Sequence, residues 1–427
     1  MSLRAVRALS AAAAATATLA AFFGATPGCG SSKPAGGFDD GGLQELCANP
    51  DCDHDGYASP ADCDDCDPQV NPEAYDFKGD GIDNDCSGKA DDPVESCETI
   101  PAAAPGSPTD FARAADLCAQ TSKTTAGTVF DPLVSAAWGQ VKGIGPGQRI
   151  WTSATKPVQQ TNIVSAFGGN APRRGRTMAG LANGPWGSLD PRGSAALDDP
   201  QFKLNDACAD IPLAGADCTA LTNGAPAGSL SVQDWAELTL QVKVPSNAHA
   251  MAFDFAFFSS EFNQFWSSAL NDAFFVLVTS KVLAGANVAK DDHDHAITVN
   301  SGFFQLCPAA PGPAGLSPDK AAGLQQCVGL DGDATANITG TLHGTGYDGA
   351  AAGTDDTVHA QNGNLYVYGG GSGWLTGRFP VAAGETITMR IIVLDTFDGL
   401  KDSAVLIDKL TWEPVTGSGV QRPPPIR

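Results

Sequence analysis

Residues 237–257 read ELTLQVKVPSNAHAMAFDFAF, and their alternation decides the fold class. Leu238, Leu240, Val242 and Val244 interleave with Glu237, Thr239, Gln241 and Lys243; Met251, Phe253, Phe255 and Phe257 then interleave with Ala252, Asp254 and Ala256. Successive side chains of a strand point to opposite faces, so a period of two makes each run a strand with an apolar face. Working outward, further strands are predicted over 273–282, 296–304, 334–342, 364–368, 385–395 and 403–412, separated by Gly/Pro/Asp turns. Helical spacing occurs only over 109–121 and 131–141. A parallel sheet needs crossover helices, and this sequence lacks them. The expected fold is therefore mainly β: an antiparallel β-sandwich or jelly-roll-like domain, preceded by a small disulfide-rich, calcium-loop module with little regular structure.

The chain has 427 residues with a formal net charge of −23, enough for two or three domains. An acidic surface does not displace counterions from phosphates, which argues against nucleic acid as a partner. The charge is local. Residues 39–98 hold 19 acidic side chains against Lys78 and Lys89 and carry −17 of the total.

The N-terminus pairs Arg4 and Arg7 with an uncharged Ala/Leu/Phe run to Gly24, the layout of a signal peptide. The Thr26-Pro27-Gly28-Cys29 junction resembles a bacterial lipobox, which implies lipidation at Cys29; plain cleavage and secretion is the alternative. The expected division is a signal peptide over 1–28, a flexible tether over 29–46, an Asp/Cys-rich metal-binding module over 47–98, a connecting helical segment over 99–124, a β-sandwich over 125–413 and a Pro-rich tail over 414–427. The protein is thus expected to be exported: an outer-membrane or cell-surface lipoprotein touching membrane only through the lipid anchor, or a secreted protein. Twelve cysteines in an exported chain favour disulfides. Spacing suggests Cys208 with Cys218, Cys307 with Cys327 and Cys97 with Cys118, without proving connectivity.

Residues 51–62 place Asp51, Asp53, Asp55 and Asp62 at positions 1, 3, 5 and 12 of a calcium-type loop, with Gly56 at 6, Tyr57 at 7 and Ser59 at 9. A hard cation wants six to eight oxygens, alternate Asp side chains converge on one centre, and glycine permits the sharp turn. A second loop sets Asp83, Asp85, Ser87, Lys89 and Asp91 at positions 1, 3, 5, 7 and 9, with Gly88 at 6. Calcium is the expected ion. Copper is the alternative, although it prefers His, Met or thiolate and this segment offers only His54 and cysteines expected to be oxidised.

The run DCDHDGYASPADCDDCDPQVNPEAYDFKGDGIDNDCSG, residues 51–88, resembles the MopE-type metal-binding motif, an extracellular module named after a copper-associated protein. It departs from that pattern at Gly79, which replaces a Cys, at the additional Cys66, and at Ser87, which replaces an Asp. The larger region resembles the choice-of-anchor L domain of bacterial surface proteins. NIVSAFGGN (162–170), FDFAFFSSEFNQFWSSALNDAFF (253–275) and PVAAGETITMRIIVLDTFDGLKDSAVLIDKLTW (380–412) carry that likeness. It implies location and architecture and brings no catalytic role. Within these blocks Glu261, Asn271, Asp272, Asp398 and Asp402 could build a second ion site, with ordinary turn chemistry as the simpler account.

No nucleophile elbow, zinc-protease motif or phosphate loop occurs. Gly369–Gly373 reads as a hairpin loop, and Asp291-Asp292-His293-Asp294-His295 as a solvated loop with zinc as its alternative. The expected role is non-enzymatic adhesion or recognition of an unknown extracellular ligand, a polysaccharide or another surface protein. A secreted carbohydrate-active hydrolase and metal capture by the acidic module are the competing readings.

Overall fold

A computed structural model describes residues 51–93, 96–97, 106–119, 130–138, 160–184, 186, 202–203, 231–261, 271–290, 296–299, 342, 345–347, 359–361, 364–366, 369–396 and 402–421. In chain order these carry α1 (Pro108–Ala114), β1 (Leu133–Trp138), β2 (Thr161–Val164), β3 (Met178–Ala182), β4 (Phe202–Lys203), β5 (Ser231–Lys243), β6 (Ala250–Ser259), β7 (Ala273–Thr279) and β8 (Ala284–Asn287). They continue with β9 (Ile297–Thr298), β10 (His359–Gln361), β11 (Asn364–Tyr366), β12 (Gly370–Gly371), β13 (Leu375–Pro380), β14 (Thr386–Thr396), β15 (Ser403–Glu413) and β16 (Gly419–Gln421).

Among the described residues β10 and β11 pair as a separate two-stranded ladder, and two large antiparallel sheets result. One has the order β1-β5-β14-β7-β8, with β4 on β5 and β9 on β7; the other runs β16-β13-β6-β15-β3-β2, with β12 on β6. Inward residues of both sheets meet in one core: Leu238, Leu240, Phe274, Val276, Ile391 and Val393 from the first, Phe253, Phe255, Phe257, Val405 and Ile407 from the second. Phe255 and Phe274 touch across the interface, with ring centroids 5.2 Å apart. Strand β6 is buried along its whole length because its outer face is covered too. There Ala256 and Phe258 pack with Met178, Leu342, Tyr347 and Leu406. Asp254, also on that outer face, is held by Arg173 at 3.1 Å.

Residues 131–141, expected to be helical, instead contain β1. Leu133, Ala136 and Trp138 lean on the core, and a bulge between Leu133 and Ser135 sets their uneven spacing. An irregular edge strand thereby imitates the i, i+3 interval of a helix. Among the described residues of 109–121, only those in α1 are helical. Ser107 caps it in a reciprocal box with Asp110, Pro108 supplies a preset φ at its start, and left-handed Asp116 follows its end. Gly370–Gly371, within the run read as a hairpin loop, pairs with Phe258 and Ser259 of β6. A side chain at Gly371 would meet the Phe258 ring at 2.8 Å.

The acidic module has little regular structure and does not stand apart from the sandwich. Asn247, in the β5–β6 turn, accepts from Tyr75 N at 2.8 Å and donates to Tyr75 O at 2.9 Å and Gln69 O at 3.2 Å. Tyr75 belongs to the sandwich core and Phe77 packs against it. A segment too polar for a core of its own therefore shares that of its neighbour.

Candidate metal centre

The first acidic loop is built by carboxylates that hold their own backbone. Asp51 accepts from His54 N at 2.7 Å and Gly56 N at 3.1 Å, Asp53 from Asp55 N at 3.1 Å, Asp55 from Tyr57 N at 2.8 Å, and Asp62 from Asp64 N at 2.9 Å. Gly56 has φ 103°, and nothing lies within 4 Å of where a side chain would start. Its need for glycine is purely conformational.

These bonds use one oxygen of Asp53, Asp55 and Asp62. The second oxygen, Oδ2 in each case, is buried without a hydrogen-bond partner. The Asn71 amide lies close enough to Asp55 to ease its charge, yet it donates to Pro68 O at 3.3 Å. One carboxylate oxygen from each of Asp53, Asp55 and Asp62 lies within 4.8 Å of the others, and Asp51, Asp53 and Asp65 form an adjoining trio. Burial raises all three carboxyls of the first trio, and the neighbouring Asp charges add to it; Asp62 is pushed up to about 6. Stripped donors and mutual repulsion mark a place for positive charge. Ser59 is exposed. The phenol of Tyr57 is raised by burial and by Glu73.

The second loop closes differently from its spacing. Asp83 is occupied by Ser87 N at 2.9 Å and Gly88 N at 2.8 Å. Asp91 turns away, with φ 58°, to accept from Gly79 N at 2.6 Å and Gly81 N at 3.0 Å, bonds that hold its carboxyl below the usual range. Ser87 Oγ lies 3.2 Å from both Lys89 O and Asp92 Oδ1. The carboxylates that converge are Asp85, pushed up to about 6 by burial, with Asp76 and Asp92. Asp65, Asp76 and Asp92 escaped the loop-position reading because they lie outside both loops or beyond the positions it counts; only their place in the dense Asp run hinted at them.

A disulfide between Cys63 and Cys86 ties the two loops together, and Cys52 and Cys66 are also disulfide-bonded. Those sulfurs are therefore not thiolate ligands. His54 is exposed and its Nδ1 lies 3.0 Å from Asp51 O. The donor set around Asp53, Asp55 and Asp62 is carboxylate oxygen.

Cys97 and Cys118 are bridged. Glu261, Asn271, Asp272 and Asp402 are all buried at one end of the sandwich, where burial pushes Asp272 up to about 7 and Asp402 adds to the rise. Asp398, Cys29, Cys208, Cys218, Cys307, Cys327, His293 and His295 lie outside the described residues.

Fold and site together define a two-sheet β protein with a disulfide-braced, Asp-rich metal-binding motif at its N-terminal side. Residues 62–92 match the MopE-type copper-binding family model, described as "Putative metal-binding motif". The loop beginning at Asp51 extends beyond that match. No curated protein and no solved structure matches the chain.

Proposed function

We propose that this protein captures a metal ion in its Asp/Cys module, with the sandwich as the body that carries it. The observation behind this reading is the set of three buried, partnerless Oδ2 atoms of Asp53, Asp55 and Asp62. The all-oxygen donor set suits a hard divalent cation such as calcium, while the family name favours copper, for which His54 would be the nearby nitrogen donor. Equilibrium dialysis against each ion, alone and in competition, decides between them. Calcium uptake that falls at least tenfold in Asp62→Asn and is unchanged in His54→Ala is the expected result. Copper uptake abolished by His54→Ala would assign copper, and uptake of neither ion would end the metal reading.

Export, a lipid anchor at Cys29 and the choice-of-anchor L likeness belong to the same proposal. They are supported by the Arg4/Arg7 leader and by the quoted sequence blocks. The mass of the mature N-terminus from a bacterial host tests the anchor: diacylglycerol on Cys29 supports it, and an unmodified N-terminus removes it.

A further inference from the structure

The inward positions of the core strands end in acids on one side of the sandwich. Along β6 they run Phe253, Phe255, Phe257 to Ser259, with Glu261 in the bend two residues past the strand's end; along β14 they run Ile391, Val393 and then Asp395. Asp272 precedes inward Phe274 of β7, and Ser403 precedes inward Val405 of β15. The register brings these ends together: Ser403 lies opposite Ser259, and Leu394 opposite Ala273. Positions that elsewhere hold Phe, Ile or Val thus hold carboxylates here, drawn from both sheets.

Glu261, Asp272 and Asp395 are at most 1% exposed. One oxygen from each lies within 4.8 Å of the other two. The cluster is braced rather than collapsed, because Glu261 Oε2 accepts from Asp272 N at 2.9 Å and Thr396 Oγ1 accepts from Asn271 N at 3.0 Å. Asp272 Oδ2 accepts from Ser403 Oγ, while its Oδ1, fully buried with the Asn183 amide and the Asp395 carboxyl close enough to ease its charge, makes no hydrogen bond of normal geometry. A fully buried carboxylate oxygen left without a hydrogen bond, facing two further carboxylates, calls for positive charge. Oxygen-only donors at this spacing match a cation about 2.3–2.6 Å from each.

We propose that Glu261, Asp272 and Asp395 form a second hard-cation site, of the calcium class, that ties the two sheets together at this end of the core. It is separate from the module's site and does not depend on it. The test compares wild type, Asp272→Asn, and a loop variant carrying Asp53→Asn, Asp55→Asn and Asp62→Asn. Each is refolded from denaturant in calcium chloride or in EDTA, so that the ion can reach a buried position. Bound calcium per chain is read after gel filtration, and Tm under both conditions. The expected result is that the loop variant still binds an ion, that Asp272→Asn binds one fewer than wild type, and that its calcium-dependent rise in Tm shrinks. In EDTA, Asp272→Asn should melt no lower than wild type, because it removes a buried charge at constant shape. Unchanged stoichiometry in Asp272→Asn, or no calcium on the folded loop variant, would overturn the proposal. If Asp272→Asn does not fold, Glu261→Gln is read in the same way. Loss of an ion in Asp272→Asn with full binding in the loop variant would sink the module reading alone.

Discussion

At the residue scale, buried carboxyls behave differently according to what surrounds them. Asp408 is fully buried among Asp116, Asp254, Arg173, Arg174 and Lys409. Burial, and then the Asp116 charge, pushes its carboxyl up to about 8, against amides of Arg173 and Lys409 that pull it down. In the unfolded chain it would titrate near 4. Between about pH 4 and pH 8 the folded protein holds a proton that the unfolded chain has released, so this group's contribution to stability falls as pH rises. Urea unfolding of Asp408→Asn across that window should therefore show a shallower decline than wild type; an equal slope would locate the proton elsewhere. Gly56→Ala makes the opposite point, since the cost lies in the backbone. Placing alanine at φ 103° should destabilise the first loop by about 1–2 kcal/mol and weaken metal uptake, read by calorimetric titration.

At the element scale, β5 and β14 are joined by more than their ladder. Glu237 receives Arg390 Nε at 2.6 Å and Nη2 at 3.0 Å, and also Trp235 Nε1 at 3.1 Å and Thr239 Oγ1 at 2.9 Å. Glu237 is 2% exposed at its side chain and Arg390 27%, so water screens the pair from one side only. Arg390→Ala should cost about 2–3 kcal/mol in urea melts by leaving a buried charge uncompensated, and adding Glu237→Gln should recover most of it. Strands were the most legible elements in the sequence because period two is a local property. The β1 segment was not, since its bulge and its pairing with β5 come from the partner strand.

At the scale of the whole molecule, the acidic module and the sandwich share a core through Tyr75, and Asn247 supplies three hydrogen bonds across the joint. Asn247→Ala should cost about 2–3 kcal/mol. Hydrogen exchange should quicken at 69–77 while the amides of β6 stay protected. Equal acceleration in both would mean that they unfold as one unit. The Cys63–Cys86 bridge closes 23 residues of the module. Replacing both with Ser should lower stability by about 3 kcal/mol by freeing the unfolded chain, and should separate the two acidic loops, reducing metal uptake.

The sequence by itself marked strands β5, β6, β7, β14 and β15, the location of negative charge in one segment and the clustered acids Asp51, Asp53, Asp55 and Asp62 of the first loop. Each of these is written in spacings of a few residues, which backbone geometry converts directly into direction. Only the tertiary structure decided that Asp76 and Asp92 join Asp85 while Asp91 turns to glycine amides, that the module borrows the sandwich core, and that Asp395 meets Glu261 and Asp272. Those meetings depend on strand register and on packing between distant segments. An acid ending an apolar strand shows its inward position in sequence, but its partners appear only once the sheets are stacked.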